Sequence, residues 1–323
     1  MNFRKLILAG CISLAAIACK KDEEGTSIPG LDGYLSIKGL VDFIAPNTTL
    51  ELTPEGVTHP DGGELSYTWK VTPSHPKTYT GETFKFTFTD TLQTCTVYCS
   101  ASAEGYSGSS SSSYVTVVKG GKGGSIRGID YPADSLTTEH GVYYYQQIGS
   151  QTWTINNMAE KGYGKAYRNA EIMSDVLGRF YNYNDAKAIC SSLSTDTQTW
   201  ALPTLEDWKT LTDYVNGTLN PGSSIAAALM ADATFNSTTM WAYRPDVGNI
   251  TNSSNFSAIP AGYVNLESSV FEGVYEYATF WTASESENPD EAHCVYLYFE
   301  QPSLKKVEAD KKSFGASVRC IQK

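Results

Sequence analysis

The sequence predicts two folded domains in series, an all-β sandwich followed by an α+β domain, behind a short targeting segment. Three observations carry this expectation. Short period-two runs fill residues 33–119, a glycine-rich stretch interrupts the chain at 120–125, and beyond it apolar residues recur at helical spacing between further strand-like runs. The 323 residues are 41% hydrophobic, enough to bury two ordinary cores. Tyr is plentiful at 21 while only 18% of residues are charged, a balance typical of extracellular β-rich modules. The formal charge of -11 repels phosphate backbones, so nucleic acid is not an expected partner.

Residues 1–18 read as a removable signal peptide. Arg4 and Lys5 lead an apolar run from Leu6 to Ala18 that is too short to span a bilayer. Ala16-Ile17-Ala18-Cys19 resembles the lipobox of bacterial lipoproteins, which makes Cys19 the expected lipidation site and the mature N-terminus. Each buried acyl methylene adds about 0.8 kcal/mol, so two or more palmitate-like chains on Cys19 hold a protein on a membrane without a spanning helix. Residues 19–32 are then a tether. Within it Lys20-Lys21-Asp22-Glu23-Glu24 resembles the Lys-acidic signals that send some Gram-negative lipoproteins to the outer face of the outer membrane, the location expected here.

Residues 33–119 contain Tyr34-Leu35-Ser36-Ile37, Leu50-Glu51-Leu52, Leu65 to Val71, Phe84-Lys85-Phe86-Thr87-Phe88, Thr94 to Cys99 and Tyr114-Val115-Thr116-Val117. Trp69 in the third run, followed by Thr96-Val97-Tyr98 and the closing Val115-Thr116-Val117-Val118, resembles the immunoglobulin-like PKD family, so an immunoglobulin-like sandwich is expected with Trp69 between its sheets. Cys95 and Cys99 lie four apart on one strand, roughly 13 Å at about 3.3 Å per residue, too far to bridge. They read as buried thiols. The serines of 107–113 read as a solvated hairpin loop, and 120–125 as a flexible linker.

Residues 126–323 mix strands with two or three helices. Thr204 and Asp207 form a capping-box-like start, after which Leu205, Trp208, Leu211 and Val215 repeat on one helical face. Tyr183 to Cys190 reads as a second helix. The ordered series Ile148 to Trp153, Gly178-Arg179-Phe180-Tyr181, Cys190, Trp200-Ala201-Leu202-Pro203-Thr204 with Trp208, Asn255 to Tyr263, Phe280 to Glu285 and Ser317-Val318-Arg319-Cys320 resembles the Fibrobacter succinogenes major paralogous domain family, found on secreted proteins and lipoproteins. The resemblance implies a C-type lectin-like α+β fold related to formylglycine-generating enzymes. It also implies a disulfide between Cys190 and Cys320. Closing so long a loop is worth roughly 4 to 5 kcal/mol in the chain-entropy model. Cys294, left over in the strand His293 to Phe299, reads as buried.

An oxidase of the formylglycine type needs a pair of metal-binding cysteines, and the sequence offers none beyond those assigned to the disulfide. His59, His75, His140 and His293 form no metal-spaced cluster or triad. No metal, cofactor or catalytic residue is therefore expected, and Glu287-Asn288-Pro289-Asp290 reads as a solvated β-turn rather than a calcium element. In lectin-like folds the long irregular loop builds the ligand face. The matching stretch, 231–280, carries Trp241, Tyr243, Arg244, Asp246, Asn249, Tyr275 and Tyr277, an aromatic and polar mix suited to a sugar or a protein anchor. The expected function is a surface adhesin binding a glycan or a host or sister surface protein. The alternative is a structural part of a pilus or surface assembly, with a formylglycine-generating or glycosidase activity less expected.

Overall fold

The computed structural model describes residues 27–323 apart from 74, 90, 92, 220–223 and 243–245. The signal peptide and Cys19 lie outside the described residues. The chain divides into two compact units at Val117 and Val118. Among the described residues no helix is long and apolar enough to cross a membrane.

The first unit is a sandwich of two sheets. Its strands are β1 (Asp32–Lys38), β2 (Phe43–Ile44), β3 (Thr48–Thr58), β4 (Ser66–Thr72), β5 (His75–Thr80), β6 (Phe84–Phe88), β7 (Thr94–Ser102) and β8 (Ser109–Val117). One sheet has the order β1-β3-β6, the other β2-β8-β7-β4-β5. Alternation puts Phe84, Phe86 and Phe88 of β6 against Trp69, Val71, Val97 and Val115 of the other sheet in one core. Trp69 is 1% exposed. Its indole donates to the Gly81 carbonyl at 2.9 Å and stacks on Phe84 at 5.4 Å, the core role expected for it. Cys95 and Cys99 are both buried thiols, and burial pushes the Cys99 thiol up to about 12.

The serine run is not a loop. Ser109 to Ser113 pair residue for residue with Ala101 to Val97 of β7, and the true turn comes earlier, where Tyr106 N–H donates to the Ala103 carbonyl. β7 carries backbone donors and acceptors as far as Ser102. Satisfying them outweighs serine's weak preference for strands.

In the second unit the expected linker is a tight turn. Ser125 N–H donates to the Lys119 carbonyl at 2.6 Å, Lys119 N–H to Ser125 Oγ at 2.9 Å, and Gly121 N–H to the Asp175 carbonyl at 3.2 Å. A Cβ on Gly120 would stand 2.2 Å from that of Asp175, so this glycine serves close approach rather than flexibility.

The second unit is mostly β, with four short α-helices among its described residues: α1 (Ser174–Leu177), α2 (Tyr183–Ser192), α3 (Leu205–Tyr214) and α4 (Ile225–Leu229). Its five-stranded sheet runs Ser135–Thr137, Val142–Ile148, Gln151–Thr154, Ile321–Gln322, Trp200–Ala201. A three-stranded antiparallel sheet follows the order Tyr277–Glu285, Glu291–Tyr298, Lys305–Asp310. Trp153 and Trp208 pack with Phe256 and Phe280 in one core, and Trp200 and Trp281 with Tyr181 and Tyr183 in a second. All four tryptophans are core residues. Cys190 of α2 is bonded to Cys320, with Cα atoms 5.4 Å apart across 130 positions. Cys294 is buried.

α3 starts as the sequence predicts. Asp207 N–H donates to Thr204 Oγ1 at 3.2 Å and the Asp207 carboxylate accepts from Thr204 N–H at 2.7 Å, while Lys323 Nζ reaches the same carboxylate at 2.6 Å. Burial works to raise the Asp207 pKa, but the hydrogen bonds from Lys323 and Thr204 prevail and hold it below its usual value. A depressed carboxyl contributes stability above its unfolded pKa of about 3.9 and loses it as pH falls through the lower folded value. Asp207→Ala is expected to cost about 1 to 2 kcal/mol at neutral pH. In urea titrations the gap between parent and variant should close below about pH 4.

Candidate ligand-binding surface

The structure scatters the described residues of 231–280 expected to form the ligand face. Trp241 is 2% exposed and sits in the core with Trp208, Leu229 and Phe256. Its apolar area is worth more inside that core than at a surface, so it is a packing residue. Tyr243 and Arg244 lie outside the described residues. Asp246 and Asn249 are exposed on either side of buried Val247. Tyr275 is half-buried, its N–H bonded to the Pro260 carbonyl at 3.0 Å and its carbonyl accepting from Ala242 N–H at 2.9 Å, so its main chain braces the loop.

Tyr277 is different, because it opens an aromatic ladder. In the antiparallel pairing of Tyr277–Glu285 with Glu291–Tyr298, Tyr277 stands opposite Tyr298 and Thr279 opposite Tyr296. Side chains alternate between faces, so Tyr296 and Tyr298 share the face of Tyr277. Ala278, Phe280, Val295 and Leu297 take the other face and enter the core with Trp208. On the ladder face, Trp281 and Cys294 are buried, whereas the three tyrosines further along are only half-buried. Tyr277 stacks on Tyr298 with centroids 4.5 Å apart and lies 5.8 Å from Tyr296.

A neighbouring strand, Tyr263–Asn265, adds Tyr263, whose ring lies 5.9 Å from Tyr277 and stacks on Phe314 at 5.5 Å. Gly273, at φ 66, makes room for this. A Cβ there would stand 2.7 Å from the Tyr277 ring and 3.2 Å from that of Tyr263. Gly273→Ala is therefore expected to strain the backbone and push both rings apart, costing about 1 to 3 kcal/mol in thermal or urea unfolding.

Carboxylates border the rings. The Tyr298 hydroxyl donates to Glu300 Oε2 at 3.2 Å, and Glu272 pairs across the strands with Tyr263. Burial, then the hydrogen bond to Glu300, pushes the Tyr298 hydroxyl up to about 12. Burial followed by the Glu276 charge raises Tyr277, and burial followed by Glu272 raises Tyr263. The hydroxyls thus stay protonated across physiological pH, and the surface offers neutral rings among negative acceptors.

Tyr263, Tyr296 and Tyr298 escaped the sequence reading. The alternation Tyr296-Leu297-Tyr298 was the available signal, since two tyrosines two apart on a strand must share a face. The turn expected at 287–290 closes one residue later: Glu291 N–H donates to the Asn288 carbonyl at 3.0 Å, and Lys311 Nζ donates to the Pro289 carbonyl at 2.7 Å. Among the described residues no three His, Cys, Asp or Glu side chains gather as a metal site. The first unit has an open groove of about 500 Å³ lined by His59, Glu64, Tyr67 and Glu82 among others. It lacks the ordered run of rings that the ladder has.

Residues 146–322 match the Fibrobacter succinogenes major domain. The chain belongs to the Fibrobacter succinogenes major domain family. The matched segment takes in the disulfide, five buried tryptophans and the whole tyrosine ladder. No curated protein matches the chain. Among solved structures, the PKD domain from the human VPS10 domain-containing receptor SorCS2 aligns at 14% identity and a TM-score of 0.22, covering 34% of this chain and 91% of that one. A superposition this loose assigns nothing to the first unit, whose sandwich is described by its own sheets.

Proposed function

We propose that this protein is a lipid-anchored surface lipoprotein whose family domain binds a glycan on the tyrosine ladder of Tyr263, Tyr277, Tyr296 and Tyr298. The carrying observation is the half-buried run of rings bordered by Glu272, Glu276 and Glu300. Sugars present an apolar C–H face that stacks on aromatic rings and hydroxyls that donate to carboxylates. The rings already hold one another in place, so binding orders little that is mobile. In this reading the family domain is lectin-like, the first unit is a PKD-type spacer, and residues 19–32 tether both to acylated Cys19 at the outer membrane surface. A pilus or assembly subunit is the less favoured reading. Strand addition needs an open edge, and at one such edge the strand Lys305–Asp310 carries Lys305, Lys306, Glu308 and Asp310, charges that discourage it there.

A glycan array with the full mature chain tests the reading. Binding is expected, with Tyr277→Ala and Tyr298→Ala each weakening it about tenfold, the effect of losing one aromatic contact of about 1.4 kcal/mol. Asp246→Ala and Asn249→Ala should leave it unchanged. Silence across the array would overturn the proposal. Mass spectrometry of the native protein addresses the anchor: an acylated Cys19 is expected at the N-terminus, and an unmodified Met1 would remove the anchor from the account.

A further inference from the structure

Resting on the glycan reading, we infer that the tyrosine ladder selects sugars bearing a positively charged amino group, such as oligosaccharides of free hexosamine. Three exposed carboxylates gather at one end of the ladder. Glu300 takes the Tyr298 hydroxyl at 3.2 Å, Glu276 immediately precedes Tyr277, and Glu272 pairs across the strands with Tyr263. Tyr277 and Tyr298 face each other at that same end. The nearest cation in the strand register, Lys305, stands opposite Tyr296, two residues along from Tyr298.

An ammonium group over a tyrosine ring is attracted by the ring's negative face, and adjoining carboxylates add to this. The same carboxylates repel uronic or sialic acids. A neutral N-acetylated sugar keeps the stacking and forgoes the charge. The ladder therefore orients an amino sugar with its ammonium toward Tyr277 and Tyr298 and away from Lys305.

Isothermal titration of the full mature chain with three tetrasaccharides tests this: β-linked glucosamine, its N-acetylated form and galacturonate. The glucosamine tetramer is expected to bind at least tenfold more tightly than the N-acetylated one, the galacturonate not at all, and the preference to shrink from 20 to 200 mM salt. Glu272→Gln, Glu276→Gln and Glu300→Gln together should abolish the preference, lowering affinity for the glucosamine tetramer at least tenfold more than for the N-acetylated one. A cation attracted merely to an acidic protein would keep its advantage in Tyr277→Ala with Tyr298→Ala, and that result would overturn the inference. Equal affinity for the amino and N-acetylated tetramers, or no binding of the glucosamine tetramer while other glycans on the array bind, would also overturn it and leave the glycan reading standing. Silence of every glycan defeats the glycan reading itself.

Discussion

Arg319→Met is expected to destabilise the second unit by about 3 to 5 kcal/mol, because it leaves several buried acceptors without their donors. Arg319 is 1% exposed, and its guanidinium spends its donors on neutral acceptors. Nε donates to Asn157 Oδ1 at 2.8 Å, Nη1 to the carbonyls of Phe256 at 2.8 Å and Thr154 at 3.2 Å, and Nη2 to that of Ser257 at 3.0 Å. The rings of Phe256 and Phe280 lie 4.9 and 5.5 Å from it. Burial lowers its pKa to about 9. The loop it grips contains Asn252, Asn255 and Ser257 at positive φ, conformations that need outside support. Met fills similar volume but donates nothing, leaving those carbonyls unsatisfied. Urea unfolding followed by tryptophan fluorescence will measure the loss, and a change below about 1 kcal/mol would show that the network is not a keystone of the loop.

Removing the disulfide should have a comparable effect. Cys190→Ser with Cys320→Ser frees 130 positions of chain in the unfolded state, worth roughly 4 to 5 kcal/mol in the chain-entropy model. For a domain of this size that corresponds to a drop in Tm of roughly 10 °C or more. Both cysteines are fully buried, so the native protein should resist mild reductant and yield only when the domain opens. Differential scanning calorimetry of the double variant, and of the parent unfolded with and without reductant, should give matching shifts.

Local physics was legible in the sequence. The capping box of Thr204 and Asp207 and the apolar face of α3 follow from spacing alone, and the burial of Trp69 from the resemblance to the PKD family. Cys190 and Cys320 were paired by family resemblance, since nothing within 130 positions of chain dictates their meeting. Long-range effects were not legible. Ser109 to Ser113 became strand because β7 needed partners, and Gly120 became a packing glycine because Asp175 stands against it. Trp241 was read from its neighbours in a polar loop, yet α3 and α4 supply an apolar site that takes it in. The ladder depends on the register of Tyr277 against Tyr298, which is set by the turn at 287–290 and by which face the core claims. Tyr263, Tyr277 and the pair Tyr296 and Tyr298 are 14 to 35 positions apart in sequence, and only the fold makes them neighbours.

Hydroxyl-radical footprinting of the full mature chain, with and without its strongest-binding array glycan, tests the ladder most directly. Oxidation of Tyr277, Tyr296 and Tyr298 should fall on binding while exposed Tyr163 stays unchanged. Protection of Tyr163 with the three ladder tyrosines untouched would contradict the ladder as the binding surface.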